Sequence, residues 1–97
     1  MDRYEYKQIK EIDPQTPKIC LVGKVKKRLE DSLIIEDEGA EVELKGQPEI
    51  EEGEFIRVFC SRENDHFKID FFQKITEEEL NLFKRFLSLY KMVEEYV

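Results

Sequence analysis

Lys24, Lys26, Lys27 and Arg28 place four cations in five residues, within GKVKKRLED, in a chain of 97 residues whose formal net charge is -7. Ammonium and guanidinium groups so clustered neutralise phosphates, which makes the segment a candidate nucleic-acid contact. The competing reading is a solvated strand end paired with Glu30 and Asp31. The polar stretch SRENDH (61–66) adds Arg62 and His66 as further cationic positions. Catalytic chemistry finds no foothold. His66 follows Asp65 directly, and neighbours in a loop rarely align as a base and its orienting group. No motif places a serine or cysteine nucleophile, and no glycine-rich phosphate loop is present. The carboxylates of Glu36 to Glu43 lack the ligand spacing of a calcium loop. Cys20 and Cys60 are too few and too far apart for a zinc site or a redox pair. They read as buried free thiols, with a disulfide as the alternative in a hyperthermophile's cytoplasm. The sequence predicts no enzyme, no metal, no cofactor and no small-molecule substrate.

Charge is distributed unevenly. Residues 1–28 sum to +4, residues 29–54 to -10, residues 55–75 to +1 and residues 76–97 to -2, which restores the total of -7. The length suits one domain. The charged fraction of 40%, with Glu and Lys dominant, exceeds the roughly 25% of ordinary domains and leans toward a thermophile. No apolar run reaches the ~20 residues that span a bilayer, and the N-terminus lacks a signal-peptide core. A cytoplasmic, soluble protein is expected.

Residues 1–17 read as an extended lead-in, broken at Asp13-Pro14 and Pro17. From Lys18 the pattern becomes β. Ile19, Leu21 and Val25 alternate around Gly23, and Leu33 to Ile35 form a second short strand. Past the Asp37-Glu38-Gly39 turn, Ala40, Val42 and Leu44 alternate with Glu41, Glu43 and Lys45. Residues 46–53 are a linker. Phe55 to Cys60 form a fourth strand with Ile56, Val58 and Cys60 on one face, and Phe67, Ile69 and Phe71 define a fifth. Five short strands without a central helix favour a small closed barrel over residues 18–73, because closure removes exposed edges.

A helix is predicted over 76–96. Thr76 and Glu79 form a capping box, with Ile75 and Leu80 as its hydrophobic staple. Leu82, Phe86, Leu89, Val93 and Tyr96 make one apolar stripe; Phe83, Leu87, Tyr90 and Val97 make a second beside it. The two cover an arc of roughly 200°, wider than one packed face needs. Either the arc caps the end of the barrel, or one stripe packs on the barrel and the other on a second chain. The domain plan is therefore a lead-in (1–17), a barrel (18–75) and an oligomerisation helix (76–97).

IKEIDPQTPKICLVGKV (9–25), the acidic hairpin, and IEEGEFIRVFC (50–60) with Gly53, Glu54, Ile56, Arg57 and Val58 resemble an OB-fold of the single-stranded-DNA-binding kind. Followed by one long helix, the pattern resembles the small subunits of replication protein A, an archaeal one best fitting the composition. It also resembles related subunits of telomere-capping and recombination-intermediate complexes. The resemblance implies hetero-oligomers, such as trimers, in which the C-terminal helices of OB-fold subunits bundle together. It also implies contact with single-stranded DNA through the complex, in replication and repair, and a nucleoid-associated location if archaeal.

In that family the strand runs over the exposed face of the second and third strands, flanked by the first–second and fourth–fifth connections. GKVKKRLED would then lie at the first junction and SRENDH at the second. If Ile56 and Val58 face inward, Phe55, Arg57 and Phe59 face outward, as do Lys68, Asp70 and Phe72 on the fifth strand. Phe59 and Phe72 are thus candidate stacking platforms and Arg57 and Lys68 phosphate contacts, unless the aromatics lie beneath the helix or the lead-in. Glu41 and Glu43 oppose a phosphate path across the hairpin. The leading expectation is a non-catalytic assembly scaffold. The rivals are a stand-alone binder of single-stranded DNA or RNA and an OB adaptor that recognises protein only.

Overall fold

The computed structural model describes residues 4–13 and 15–95, with side chains described through Leu87. Among the described residues there are six strands: β1 (Glu5–Tyr6), β2 (Lys18–Arg28), β3 (Ser32–Asp37), β4 (Ala40–Lys45), β5 (Phe55–Glu63) and β6 (His66–Ile75). A 3-10 turn, Ile9–Glu11, precedes β2, and α1 (Glu77–Glu95) follows β6. The strands form a six-stranded sheet in the order β1-β2-β3-β4-β6-β5, with β2 also pairing β5. This corrects the expected five-stranded barrel over 18–73. The lead-in contributes a strand, pairing Glu5 with Ile19 and Tyr6 with Cys20 in parallel. Two residues are too short to show alternation, so sequence patterning could not reveal it. The β4–β6 ladder is confined to Leu44↔Phe67 and Lys45↔Lys68.

The core follows from the alternation. Ile19, Leu21, Val25, Leu33, Ile35, Leu44, Ile50, Ile56, Val58 and Cys60 are fully buried, and Ile9 and Phe67 close over them. Burial on this scale stabilises by about 1.5–3 kcal/mol for each large side chain. β2 pairs with β5 along Lys18 to Lys24 and with β3 along Lys24 to Arg28. Gly23 lies where the strand passes from one partner to the other. A Cβ there would stand 2.8 Å from the Glu36 carbonyl oxygen, so only glycine fits.

Two local devices set which side chains face where. The β3–β4 turn has positive φ at Glu38 (50°) and Gly39 (81°), the pattern of a two-residue hairpin whose twist matches the strands. In β6, Phe59 pairs with Phe71 and Cys60 with Ile69, so Asp70 is an extra residue, a β-bulge. An extra residue reverses the alternation beyond it. Phe72 packs against the core, whereas Phe71 is 52% exposed. The outward assignment of Phe72 and the inward one of Phe71 are therefore exchanged.

Candidate interaction surfaces

The capping box forms as its residue types require. Thr76 Oγ1 accepts from the Glu79 amide at 3.1 Å, and Glu79 Oε1 accepts from the Thr76 amide at 3.0 Å. Leu80 is buried one turn in. From this root, Phe83 stacks on Tyr6 with ring centroids 6.4 Å apart, and the Arg57 guanidinium lies 4.7 Å from the Phe83 centroid. Lys84 reaches the hairpin turn, 3.0 Å from Asp37 and 3.1 Å from Glu38, whose carboxylate also meets Lys10 at 3.0 Å. Burial pulls the Lys84 ammonium down, but hydrogen bonds to Asp37 and Glu38 outweigh it and raise its pKa. Hydrogen bonds from Lys10 and Lys84 hold Glu38 below its ordinary value.

With Leu80, Phe83 and Lys84 turned to the sheet, the described part of the other stripe, Leu82 and Phe86, is left open. Phe83 and Leu87 are half-buried, while Leu82 is 49% and Phe86 61% exposed. Leu89, Tyr90, Val93 and Tyr96 belong to the part of the chain outside the described side chains.

The basic cluster is not in a loop but at the end of β2, and the connection to β3 is only Leu29 to Asp31. Lys26 is an extra residue between the pairs Val25↔Ile35 and Lys27↔Ile34. It is hydrogen-bonded to Glu41 on β4, which raises its pKa. Arg28 is committed to the 46–53 linker: its guanidinium donates to the Ile50 carbonyl at 3.0 Å and its amide to Glu52 at 3.2 Å. Lys24 and Lys27 are exposed and carry no ion pair among the described residues. Ser32 donates to Glu43 at 2.8 Å, and Lys45 lies 4.0 Å from Asp31. The outer β3–β4 face is thus a mosaic in which carboxylates occupy Lys26, Lys45 and the Ser32 hydroxyl.

Arg62 also has an internal role. It donates to the Asp13 carbonyl at 3.0 Å and covers Phe67, 4.3 Å from its ring centroid. His66 Nδ1 lies 3.4 Å from Asp65 at the β5–β6 turn, and Asn64 there has φ 59°. Both thiols are buried and free; burial pushes Cys20 up to about 11 and Cys60 up to about 12. No cluster of three or more metal-ligating side chains exists among the described residues, and no helix among them is long and apolar enough to cross a membrane.

The outer face of β2, β5 and β6 is of another kind. Register aligns Lys18, Ser61 and Lys68 in one row across the three strands; Cys20, Phe59 and Phe71 in the next; and Val22, Arg57 and Gln73 in the third. Phe59 and Phe71 are stacked at 4.3 Å and 20°. Tyr4 meets both edge-on at 5.3 and 5.9 Å, with the Lys18 ammonium 5.2 Å from its ring centroid. The Tyr4 hydroxyl donates to Asp70 at 2.8 Å, and Ser61 donates to the same oxygen. Arg57 donates to the Tyr6 hydroxyl at 2.9 Å and to Gln73, and lies 5.1 Å from the Phe59 centroid. Phe71 and Tyr4 were not among the sequence-predicted contacts. The bulge hid the first, and the second lies in the short lead-in.

No protein-family model matches the chain. No curated protein matches it either. Solved structures do. The chain is similar to one in the S. pombe Stn1-ten1 complex, with a TM-score of 0.80 and 15% identity over 94% of each chain. It is similar to the telomere capping protein Ten1 from Saccharomyces pombe, with a TM-score of 0.75 and 14% identity over 93% of this chain and 99% of that one. It is also similar to a chain of U. maydis replication protein A bound to ssDNA, with a TM-score of 0.69 and 15% identity over 99% of this chain and 96% of that one. At these identities the likeness establishes a shared fold: an OB-fold domain with a packed C-terminal helix.

Proposed function

We propose that the chain is a non-catalytic OB-fold subunit of a single-stranded-DNA-binding assembly, serving as a scaffold that docks through α1. The observation that carries this reading is the unequal use of the helix. One stripe, through Leu80 and Phe83, is satisfied by the chain's own sheet, while Leu82 and Phe86 are left open beside it. Two large apolar side chains one turn apart, on a helix already anchored, match the helix-in-groove mode of recognition. Further support comes from the company of the fold, since one similar chain was solved within a Stn1-ten1 complex and another in replication protein A bound to ssDNA. The stripe continues in sequence through Leu89, Val93 and Tyr96. The partner that fits is another OB-fold subunit presenting a helix of its own.

The test is Leu82→Asp combined with Phe86→Asp, followed by light scattering of the chain alone and by co-purification with a co-expressed OB-fold subunit. Both positions are exposed, so the sheet should retain its melting transition. Association should be lost. A doubly substituted chain that associates as before would overturn the assembly role of the stripe.

A further inference from the structure

The cations that carry no ion pair do not all lie where the fold resemblance places the strand path. Lys18 and Lys68 flank Ser61 on the outer β2–β5–β6 face, and neither forms an ion pair among the described residues. Two strand spacings, roughly 10 Å, separate them. The adjoining row holds Phe59 and Phe71. Phe59 covers one side of the Phe71 ring, which nevertheless remains half open to solvent. The nearby carboxylate, Asp70, is engaged by the Tyr4 and Ser61 hydroxyls. Aromatic faces interleaved with unpaired ammonium groups are the recurring recipe for sequence-tolerant binding of single strands.

We infer that the outer face of β2, β5 and β6 is a contact site for single-stranded nucleic acid, with a base stacked on Phe71 and adjacent phosphates on Lys18 and Lys68. The site lies on different strands from the β3–β4 face, where Glu41 and Glu43 engage Lys26 and Ser32. Every base presents a π-face to Phe71, so the contact reads no sequence. Charge complementarity selects this occupant over an apolar protein segment, which would leave two lysines unpaired. The site does not depend on the docking role of α1 and is testable on the free chain.

The experiment is fluorescence anisotropy of the full chain with a labelled oligo-dT across a salt series starting at low ionic strength. Phe71→Ala should weaken binding by about tenfold, and Phe71→Trp should restore it, since indole stacks at least as well as phenyl. Lys18→Gln with Lys68→Gln should flatten the log–log salt dependence by about 1.4, two phosphate contacts at about 0.7 each. Lys24→Gln with Lys27→Gln, toward the far end of β2 and roughly 20 Å along the strand from Lys18, should leave stacking-dependent binding in place. The inference is overturned if the chain binds no oligonucleotide at low salt, if Phe71→Ala binds as the unsubstituted chain does, or if Lys24→Gln with Lys27→Gln abolishes binding. Circular dichroism of each variant shows that the fold is retained, and light scattering of the same samples reports the α1 reading separately.

Discussion

β2 runs through two regions of opposite character. Its first half borders a face of stacked rings and unpaired lysines; its second half borders a face where Lys26 meets Glu41, Ser32 meets Glu43 and Lys45 approaches Asp31. Both faces contain cations, yet beside β3–β4 carboxylates occupy Lys26 and Lys45, leaving Lys24 and Lys27 as the unpaired remainder of the cluster. The difference shows that a cluster counted along the chain says little about the field it creates. What matters is which carboxylates the register sets opposite each cation.

The largest effect on this contrast is expected at Gly23, where β2 changes partners. Gly23→Ala forces the strand away from the Glu36 carbonyl and should cost about 2 kcal/mol. Its melting temperature should drop by about 10 °C, measured by calorimetry. If only one face is perturbed, amide shifts will change on one side of the strand alone, and the shared-strand view fails. Next comes Thr76→Ala, which removes the helix cap and should cost about 1 kcal/mol in a denaturant titration. An unchanged midpoint would mean that the side chains packed on the sheet suffice to hold α1.

A smaller effect follows from acid. Glu38 has a folded pKa depressed below 4.5, so its contribution is full above that value and is lost as pH falls through the lower folded one. Lys84, its raised counterpart, stays charged throughout that window. Below about pH 4.5 the helix root should loosen, seen as faster hydrogen exchange in the first turns of α1 than in β5. Lys84→Met should remove the part of that pH dependence that reaches α1, while Lys10 continues to hold Glu38 below its ordinary value. The smallest change is expected from Glu41→Gln with Glu43→Gln, which frees Lys26 and removes two negative charges from the acidic face. Oligo-dT affinity should rise by about threefold at low salt and not at high salt. A large rise would make the two faces equivalent.

The sequence reading reached the central strands through their periodicity and the helix start through its capping residues, but not the sheet they build, which has six strands where a five-stranded barrel was expected. Ile56, Val58 and Cys60 are buried as their alternation implies, and Thr76 and Glu79 cap the helix. The shortfalls have local causes. β1 is too short to carry a pattern, and Asp70 offsets the register so that Phe71 and Phe72 trade places. The roles of Arg28 and Arg62 were hidden because their acceptors, the Ile50 and Asp13 carbonyls, are backbone atoms that no side-chain pattern reports. Which helix stripe meets the sheet depended on Tyr6 and on the Asp37–Glu38 turn, both remote in sequence.

The bulge at Asp70 carries one more consequence. Excise that single residue, and Ile69, Phe71 and Phe72 would fall into simple in–out–in order, with both phenylalanines keeping the directions they have now. Without the bulge the β5–β6 ladder would run straighter. What would go is the acceptor shared by Tyr4 and Ser61, so the incoming chain would lose its hydrogen bond to β6 and keep only the edge-on contact of Tyr4 with Phe71. The extra residue therefore behaves as an insertion whose present use is to moor Tyr4, and a chain one residue shorter would keep its aromatic pair and the β1–β2 pairing while loosening the segment ahead of β1.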